Sequence, residues 1–509
     1  MITSSSFFLF DYLHTQLISQ SYHQDTFNYS RKVKHPTALD IVQQSAKVGS
    51  ESWLLLNKEL ARKNSQAALR LGTWYKKIVK TSNKEEDKIK AIMWLNQAIR
   101  LGNSRAYTVL SQLYYEYGEY DKVQQLLLRM PQTKEEQLAN LAIALLRIKT
   151  AIATGELNEV TGLLNALTPK FAHQSIKKIY HDMVSYQVVK PNPLIKVANI
   201  NRQSLFRGDL NTCIASIQLF ATSLENLLHI DNLLDEFYQK KTLSRYACFP
   251  KPRYININLL ECYTEPQKAI SCNESIFKEV SEGVNTKHIG LMLDSGGANV
   301  HFGILYFDKS DDVNVLSHEI SHLLGFVDEY PIAAQHDICQ ARQQNTFAHN
   351  IAILPTIYRG NRQNIRKKVL SEIAWGSLIA DTTPILQKIQ TNDNAISSSE
   401  SRVSNWLLGT PDVYQDSLGI FPAETCSKSS IENSESSVIS EPFRAYKPIK
   451  RHTHLHYYSY GFPKEYDDIL RLAPKAYQMP SFYYNIALAA YLKGDNEEAR
   501  KSLAKSLIR

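Results

Sequence analysis

Apolar residues in the first third of the chain recur every three or four positions, the spacing of helices that bury one face. Residues 91–101 carry Ala91, Ile92, Leu95, Ala98 and Ile99 in this way, and Gly102-Asn103 follows as a stop signal. Residues 67–75 (AALRLGTWY) and 106–114 (AYTVLSQLY) match in pattern at an offset of 39, and residues 46–53 hold a partial earlier copy. A period of that length predicts stacked helix pairs, an α-solenoid, over about residues 35–180. Near the other end, Pro480 opens a helix along which Tyr484, Ala487, Ala490 and Tyr491 repeat. Gly494-Asp495 then turns the chain, and Ala499, Leu503 and Leu507 line a return helix.

The middle of the chain is patterned differently. Residues 213–220 suit a strand, residues 224–238 have helical spacing, residues 254–259 alternate like a strand, and residues 289–294 form a short apolar run broken by Gly296-Gly297. Residues 313–324 predict a helix, and Ser-rich stretches near 391–401 and 427–440 predict exposed loops. The expected fold is multidomain. A short segment at 1–34 precedes a helical-repeat solenoid at 35–185, an α+β domain at 195–460 and a helical hairpin at 464–509.

Composition narrows the class without changing this outline. With 43% hydrophobic and 21% charged residues among 509, the chain is globular, not disordered or fibrous. No apolar run reaches the roughly 18 residues of a membrane-spanning helix. The net charge of +8 is mild for this length. Its densest basic stretch, Arg359, Arg362, Arg366, Lys367 and Lys368, reads as a solvated helix face, with no nucleic-acid motif beside it. All six cysteines lie between Cys213 and Cys426 and none has C-x-x-C spacing. That distribution suits a disulfide-stapled domain in the periplasm or outside the cell, with Cys262 and Cys272 the first pair expected. Six buried thiols in a cytoplasmic protein is the alternative. The apolar residues 6–13 make a poor signal peptide, because Asp11 interrupts them and no Lys or Arg precedes them. The protein stays inside, or its true start lies upstream, or the given start cuts into an export signal.

The helical segments resemble Sel1-like and tetratricopeptide repeats, which place small residues at helix crossings and a Gly-Asn turn between helices. The resemblance implies a protein-binding surface, or a buttress for the middle domain, at about residues 35–180. The hairpin near the C-terminus looks like one more tetratricopeptide unit, placed either against the N-terminal repeats or as a cap on the middle domain.

Residues 318–330 read HEISHLLGFVDEY. On a helix, His318 and His322 stand one turn apart and face the same way, an arrangement that suits Zn²⁺. Glu319, next in sequence, borders the metal without ligating it and can move protons as a general base. An accidental H-E-x-x-H is expected in roughly two of a hundred chains of this composition. Surface histidines on an amphipathic helix are the bland alternative, against which stand Val315, Leu316, Ile320 and Leu323 on the helix's apolar side. Gly325 ends the helix so that the chain can fold back, which makes Asp328 the expected third ligand. Glu329, His336 and His349 are the other candidates.

This stretch resembles the metzincin-like zinc peptidases (H-E-x-x-H-x-x-G-x-x-H, or Asp last) and, more closely, the IgA-peptidase-like metallopeptidases. In the latter, H-E-x-x-H is followed by Asp-Glu-Tyr, here Asp328-Glu329-Tyr330. The upstream apolar strand with Gly296-Gly297, Trp375 with Thr383-Pro384-Ile385, and Tyr414 to Cys426 extend the likeness over about residues 285–430. The His322-to-Asp328 spacing is the metzincin one. Lys428 stands where the likeness leads one to expect methionine, and Met479 is the only methionine after the motif. The resemblance implies a zincin fold that hydrolyses a protein or peptide substrate, with zinc held by His318, His322 and Asp328 and Glu319 as base. A repeat-based scaffold protein with a structural zincin domain is the alternative. His452, His454 and His456 alternate as in a strand with one wet face, either an exposed or loop-borne run or a second metal site. Tyr414 and Tyr458 are candidate oxyanion donors, with buried structural roles as the alternative.

Overall fold

A computed structural model describes residues 4–19, 23–82, 84–131, 140–167, 173–191, 206–208, 213–332, 339, 347–389, 404–426 and 443–507. Both Ser-rich stretches and His336 lie outside the described residues. Two compact units emerge, Met1–Ile176 and Lys177–Arg509.

The first unit is helical. Its hairpins include Ser65–Ser82 with Glu85–Arg100, Ser104–Glu116 with Tyr120–Arg129, and Leu141–Ala153 with Leu157–Leu167. Three of these hairpins open on an asparagine cap. Asn64 Oδ1 accepts from Gln66 and Ala67 N–H at 2.9 and 3.0 Å, and Asn103 and Asn140 cap the next two hairpins at 3.1 Å each. A side-chain oxygen there satisfies helix N–H groups that have no partner in the helix. The crossings are close because small residues occupy them. A Cβ on Gly72 would lie 2.6 Å from Leu95 Cγ, and Ala67, Ala68, Ala91, Ala98 and Ala106 are fully buried in the same core.

The second unit is built on a mixed sheet. Its strands are β1 (Phe206–Arg207), β2 (Ala215–Ala221), β3 (Ala247–Pro250) and β4 (Arg253–Tyr254), then, after a β5 (Cys262–Tyr263) and β6 (Ser271–Cys272) hairpin, β7 (His288–Leu293), β8 (Asn299–His301) and β9 (Ile304–Asp308). The order is β1-β3-β2-β7-β9-β8, with β4 also on β2. The inner pairs β3-β2, β2-β7 and β7-β9 are parallel, while β1 and β8 run antiparallel at the edges. Every residue of β7 and β9 is buried, as expected of parallel strands covered on both faces. Ile289, Leu291, Leu293, Ile304 and Tyr306 pack with Phe482 and Ile486 of the C-terminal hairpin, Phe482–Leu492 and Asn496–Ser506. Alternation along the strands sends Met292, Leu305 and Phe307 the other way, toward helices Leu224–Lys240 and Val313–Leu323. The hairpin thus caps the sheet through its first helix. The second helix buries Ala499 and Ser502, whereas Leu503 and Leu507, expected to line it, are exposed.

Residues 254–259 depart from the expected strand. Asn256 accepts from the Asn258 N–H at 2.9 Å and its carbonyl accepts from Leu259 N–H at 3.0 Å, so the chain coils into the 3-10 turn Ile257–Leu259. Two small antiparallel sheets complete the unit. One joins β10 (Ala352–Pro355), β15 (Phe443–Lys447) and β14 (Phe421–Pro422), and the other joins β11 (Ile357–Arg359), β13 (Asn405–Leu408) and β12 (Leu386–Lys388). Three disulfides staple the unit, Cys213–Cys248, Cys262–Cys272 and Cys339–Cys426. The expected pair Cys262 and Cys272 lies directly across the β5-β6 ladder. No helix among the described residues is long and apolar enough to cross a membrane.

Candidate metal centre

The motif helix, Val313–Leu323, is fixed at both ends. Asp312 caps its start, accepting from Asn314 and Val315 N–H at 2.8 and 3.1 Å. Val313, Leu316, Ile320 and Leu323 are buried beneath it, which leaves His318 and His322 facing a common side. Its end closes with Gly325 N–H on the His322 carbonyl and Phe326 N–H on the Ser321 carbonyl, both at 3.0 Å. Gly325 has φ +94°, and a Cβ there would meet the Tyr477 carbonyl oxygen at 2.5 Å, so the turn-back requires glycine twice over. The adjoining segment is tied to the same helix end by Met479 N–H on the Leu323 carbonyl at 3.1 Å.

After that turn Asp328 comes back over the two imidazoles. His318 Nε2 and His322 Nε2 lie 3.2 Å apart, and Asp328 Oδ1 lies 3.1 and 3.3 Å from them. The other ring nitrogens are engaged. His318 Nδ1 is 2.7 Å from the His454 carbonyl and His322 Nδ1 is 3.0 Å from the Phe326 carbonyl. A carbonyl cannot donate, so both Nδ1 atoms carry the proton, and in the neutral rings both Nε2 lone pairs point at Asp328. Asp328 Oδ1 is buried between them. The two Nε2 atoms and this oxygen converge on one point, an arrangement that a shared proton or a cation satisfies. Donors about 2.1 Å from a tetrahedral centre sit roughly 3.4 Å apart, close to the spacing seen. His318, His322 and Asp328 form a group that could hold a metal ion.

The charges fit that reading. Burial opposes charge on Asp328, but His322 and His318 beside it outweigh burial and hold the carboxyl well below its usual range. Burial likewise opposes protonation of His322, but Asp328 overrides it and lifts the imidazole to about 10. Glu319 is buried with them. Burial raises its pKa, with the two imidazoles pulling the other way. Asp328 is further held by the Tyr330 hydroxyl, which donates to Oδ2 at 2.8 Å, and by Thr425 Oγ1, which donates to the Asp328 carbonyl at 2.8 Å. Burial, then Asp328, pushes the Tyr330 hydroxyl above its ordinary range, so it remains a donor.

Glu329 and His349, two of the rival third ligands, go elsewhere. Glu329 turns inward, where Lys447 Nζ is 3.0 Å away, Asn350 Nδ2 donates at 3.2 Å and the Tyr466 hydroxyl donates to the same carboxylate. Its burial among three donors explains why an adjacent carboxylate in extended chain faces opposite to Asp328. His349 is buried against Phe326 and Tyr477, and burial lowers its pKa to about 4. The run at His452 to His456 is a turn, not a strand, because His456 and Tyr457 N–H both reach the Thr453 carbonyl, at 2.9 and 3.0 Å. His454 is buried with Nε2 2.7 Å from Ser321 Oγ, and contributes its carbonyl to His318. Tyr458 is exposed, and Trp375 is fully buried with Nε1–H on the Gly419 carbonyl at 2.8 Å. Tyr414 sits in the 3-10 turn Asp412–Tyr414. The supports on the ligands, the carbonyls of His454 and Phe326 and the hydroxyls of Tyr330 and Thr425, were not assigned from the sequence. Only Tyr330 carried a signal, its place beside Asp328-Glu329. No family model, curated protein or solved structure matches the chain.

Proposed function

We propose that the protein is a zinc-dependent peptidase, with zinc on His318, His322 and Asp328 and Glu319 as the proton carrier. The observation that carries this reading is the triangle of His318 Nε2, His322 Nε2 and Asp328 Oδ1, 3.1–3.3 Å apart, with the buried Glu319 carboxyl one residue from the first histidine. Two imidazoles and a carboxylate are a donor set typical of catalytic zinc, which keeps one position open. When bound there, zinc supplies a Lewis acid that polarises a carbonyl and acidifies a water. The chain's own residues do the rest. The His454 and Phe326 carbonyls hold each imidazole in the tautomer that turns Nε2 inward, and Tyr330 holds the Asp328 carboxylate while Thr425 holds its backbone carbonyl. The Glu319 carboxylate accepts a proton from the attacking water and returns it to the departing amine nitrogen. Its place one residue from His318, buried beside both imidazoles, suits both halves of that transfer.

In the same reading, the repeats at about residues 35–180 are Sel1- or tetratricopeptide-like and bind a protein partner or substrate, and the second unit belongs to the zincins. The compartment is periplasmic or extracellular, a reading supported by three disulfides that an oxidising environment would maintain. Stripping the protein with a chelator should abolish cleavage of an unbiased peptide library, and stoichiometric zinc should restore it. Full cleavage by zinc-free protein would end the proposal. Tight zinc binding with no cleavage of any library member would favour a scaffold with a structural metal.

A further inference from the structure

A second group among the described residues offers the same donor set: Glu424, His452 and His456, with one ligand atom of each within 4.8 Å of the others. The two histidines are four residues apart on the turn that Thr453 organises, and their ring centroids lie 4.1 Å apart with the planes tilted by 49°. This repeats the i, i+4 geometry of the motif helix on a short turn. His454, between them, points the opposite way into the core. Glu424 arrives from another part of the chain, on a segment pinned by the neighbouring Cys339–Cys426 disulfide and by Thr425 on the Asp328 carbonyl. The His456 Nδ1 lies 3.4 Å from the Glu329 carbonyl, an orientation that keeps Nε2 free.

We propose that Glu424, His452 and His456 form a second site for a divalent transition-metal ion of the zinc class, distinct from the His318–His322–Asp328 centre. Two imidazole nitrogens and one carboxylate select such ions over calcium or magnesium, which prefer all-oxygen sites. Glu424 and His452 are exposed and His456 is half-buried, so the ion would sit at the surface. The donors are looser than the 3.1–3.3 Å triangle of the first centre. Closing them around an ion costs side-chain freedom, so the second site is the weaker of the two. Its position is not incidental to the first. The segment from His452 to His456 presents the His454 carbonyl to His318, and Thr425 grips Asp328, so both anchors of the second site border supports of the first.

The proposal does not depend on peptidase activity and is tested by metal counting. The chelator-stripped full-length protein is titrated with zinc alone, and the bound equivalents are counted for wild type, His452→Ala, Glu424→Ala and His318→Ala. Wild type should take up a tight and a weaker equivalent. His452→Ala and Glu424→Ala should each lose the weaker one, and His318→Ala should lose the tight one while keeping the weaker. Substitution at two exposed side chains leaves the fold intact, which thermal melting of the metal-free proteins checks. If the first centre fails to bind but an equivalent vanishes in His452→Ala, the second site stands on its own. Unchanged stoichiometry and affinity in folded His452→Ala and Glu424→Ala would overturn it.

Discussion

Asp328 and Glu329 are adjacent carboxylates with opposite fates. Chain direction explains the split, since neighbouring side chains in an extended segment point to opposite sides. The sequence placed Asp328 at the metal on helix-stop reasoning alone, and the geometry brings its Oδ1 within 3.3 Å of both imidazoles. It could not show what held Glu329, because Lys447 and Tyr466 lie more than a hundred residues away. If Asp328 is the third ligand, Asp328→Ala should weaken zinc binding by at least about 100-fold, beyond the 10–100-fold typical of losing an outer partner. Competition with a chromogenic chelator measures it, and wild-type affinity in the variant would remove Asp328 from the site. A second residue, His288, is fully buried in β7. Burial, then Lys287, lowers its pKa to about 3 from 6.5. The unfolded chain takes up this proton below about 6.5 and the folded chain does not until about 3, so stability falls as pH drops through that window. In chemical unfolding at pH 7 and pH 4, His288→Leu should show a smaller loss on acidification than wild type. An equal loss would place the acid sensitivity elsewhere.

Among the elements, the motif helix was the most legible, since apolar spacing, the Asp312 cap and the Gly325 stop all lie within the segment. The alternation at residues 254–259 misled because Asn side chains can bond their own backbone, a local competition that period alone does not register. The histidine run was read as strand-like or loop-borne, and it is a turn, since a period of two also fits a turn whose middle residue points inward. The support of the return segment after the helix is a buried ion pair, Glu329 with Lys447, closed by Asn350 and Tyr466. Removing one partner strands a buried charge, so Lys447→Met should destabilise the second unit by about 3–5 kcal/mol. Lys447→Met with Glu329→Leu should recover much of that loss, because no charge is then left unpaired. Thermal unfolding of both variants decides it, and equal destabilisation by the single and double changes would contradict the account.

At the scale of the whole molecule, the sequence distinguished a helical-repeat region from a sheet domain because the two have different hydrophobic periods. It left open whether the C-terminal hairpin packs on the N-terminal repeats or caps the middle domain, since packing between segments some 180 residues apart leaves no local pattern; Phe482 and Ile486 complete the sheet's core. The repeats lack a His, Asp or Glu group that could hold a metal among their described residues. Removing residues 1–172, which keeps helix Gln174–Ser185 whole, should therefore preserve small-peptide cleavage and impair cleavage of a folded target. Loss of small-peptide cleavage in a folded, zinc-loaded truncation would make the repeats a buttress instead. The central claim, that Glu319 moves protons beside a metal held by its neighbours, is tested most directly by peptide cleavage in Glu319→Gln loaded with zinc to the wild-type level. Loss of one proton carrier typically costs about 10²–10⁴-fold in rate, so turnover should fall by that much with zinc affinity unchanged. Wild-type turnover in the zinc-loaded variant would contradict the account.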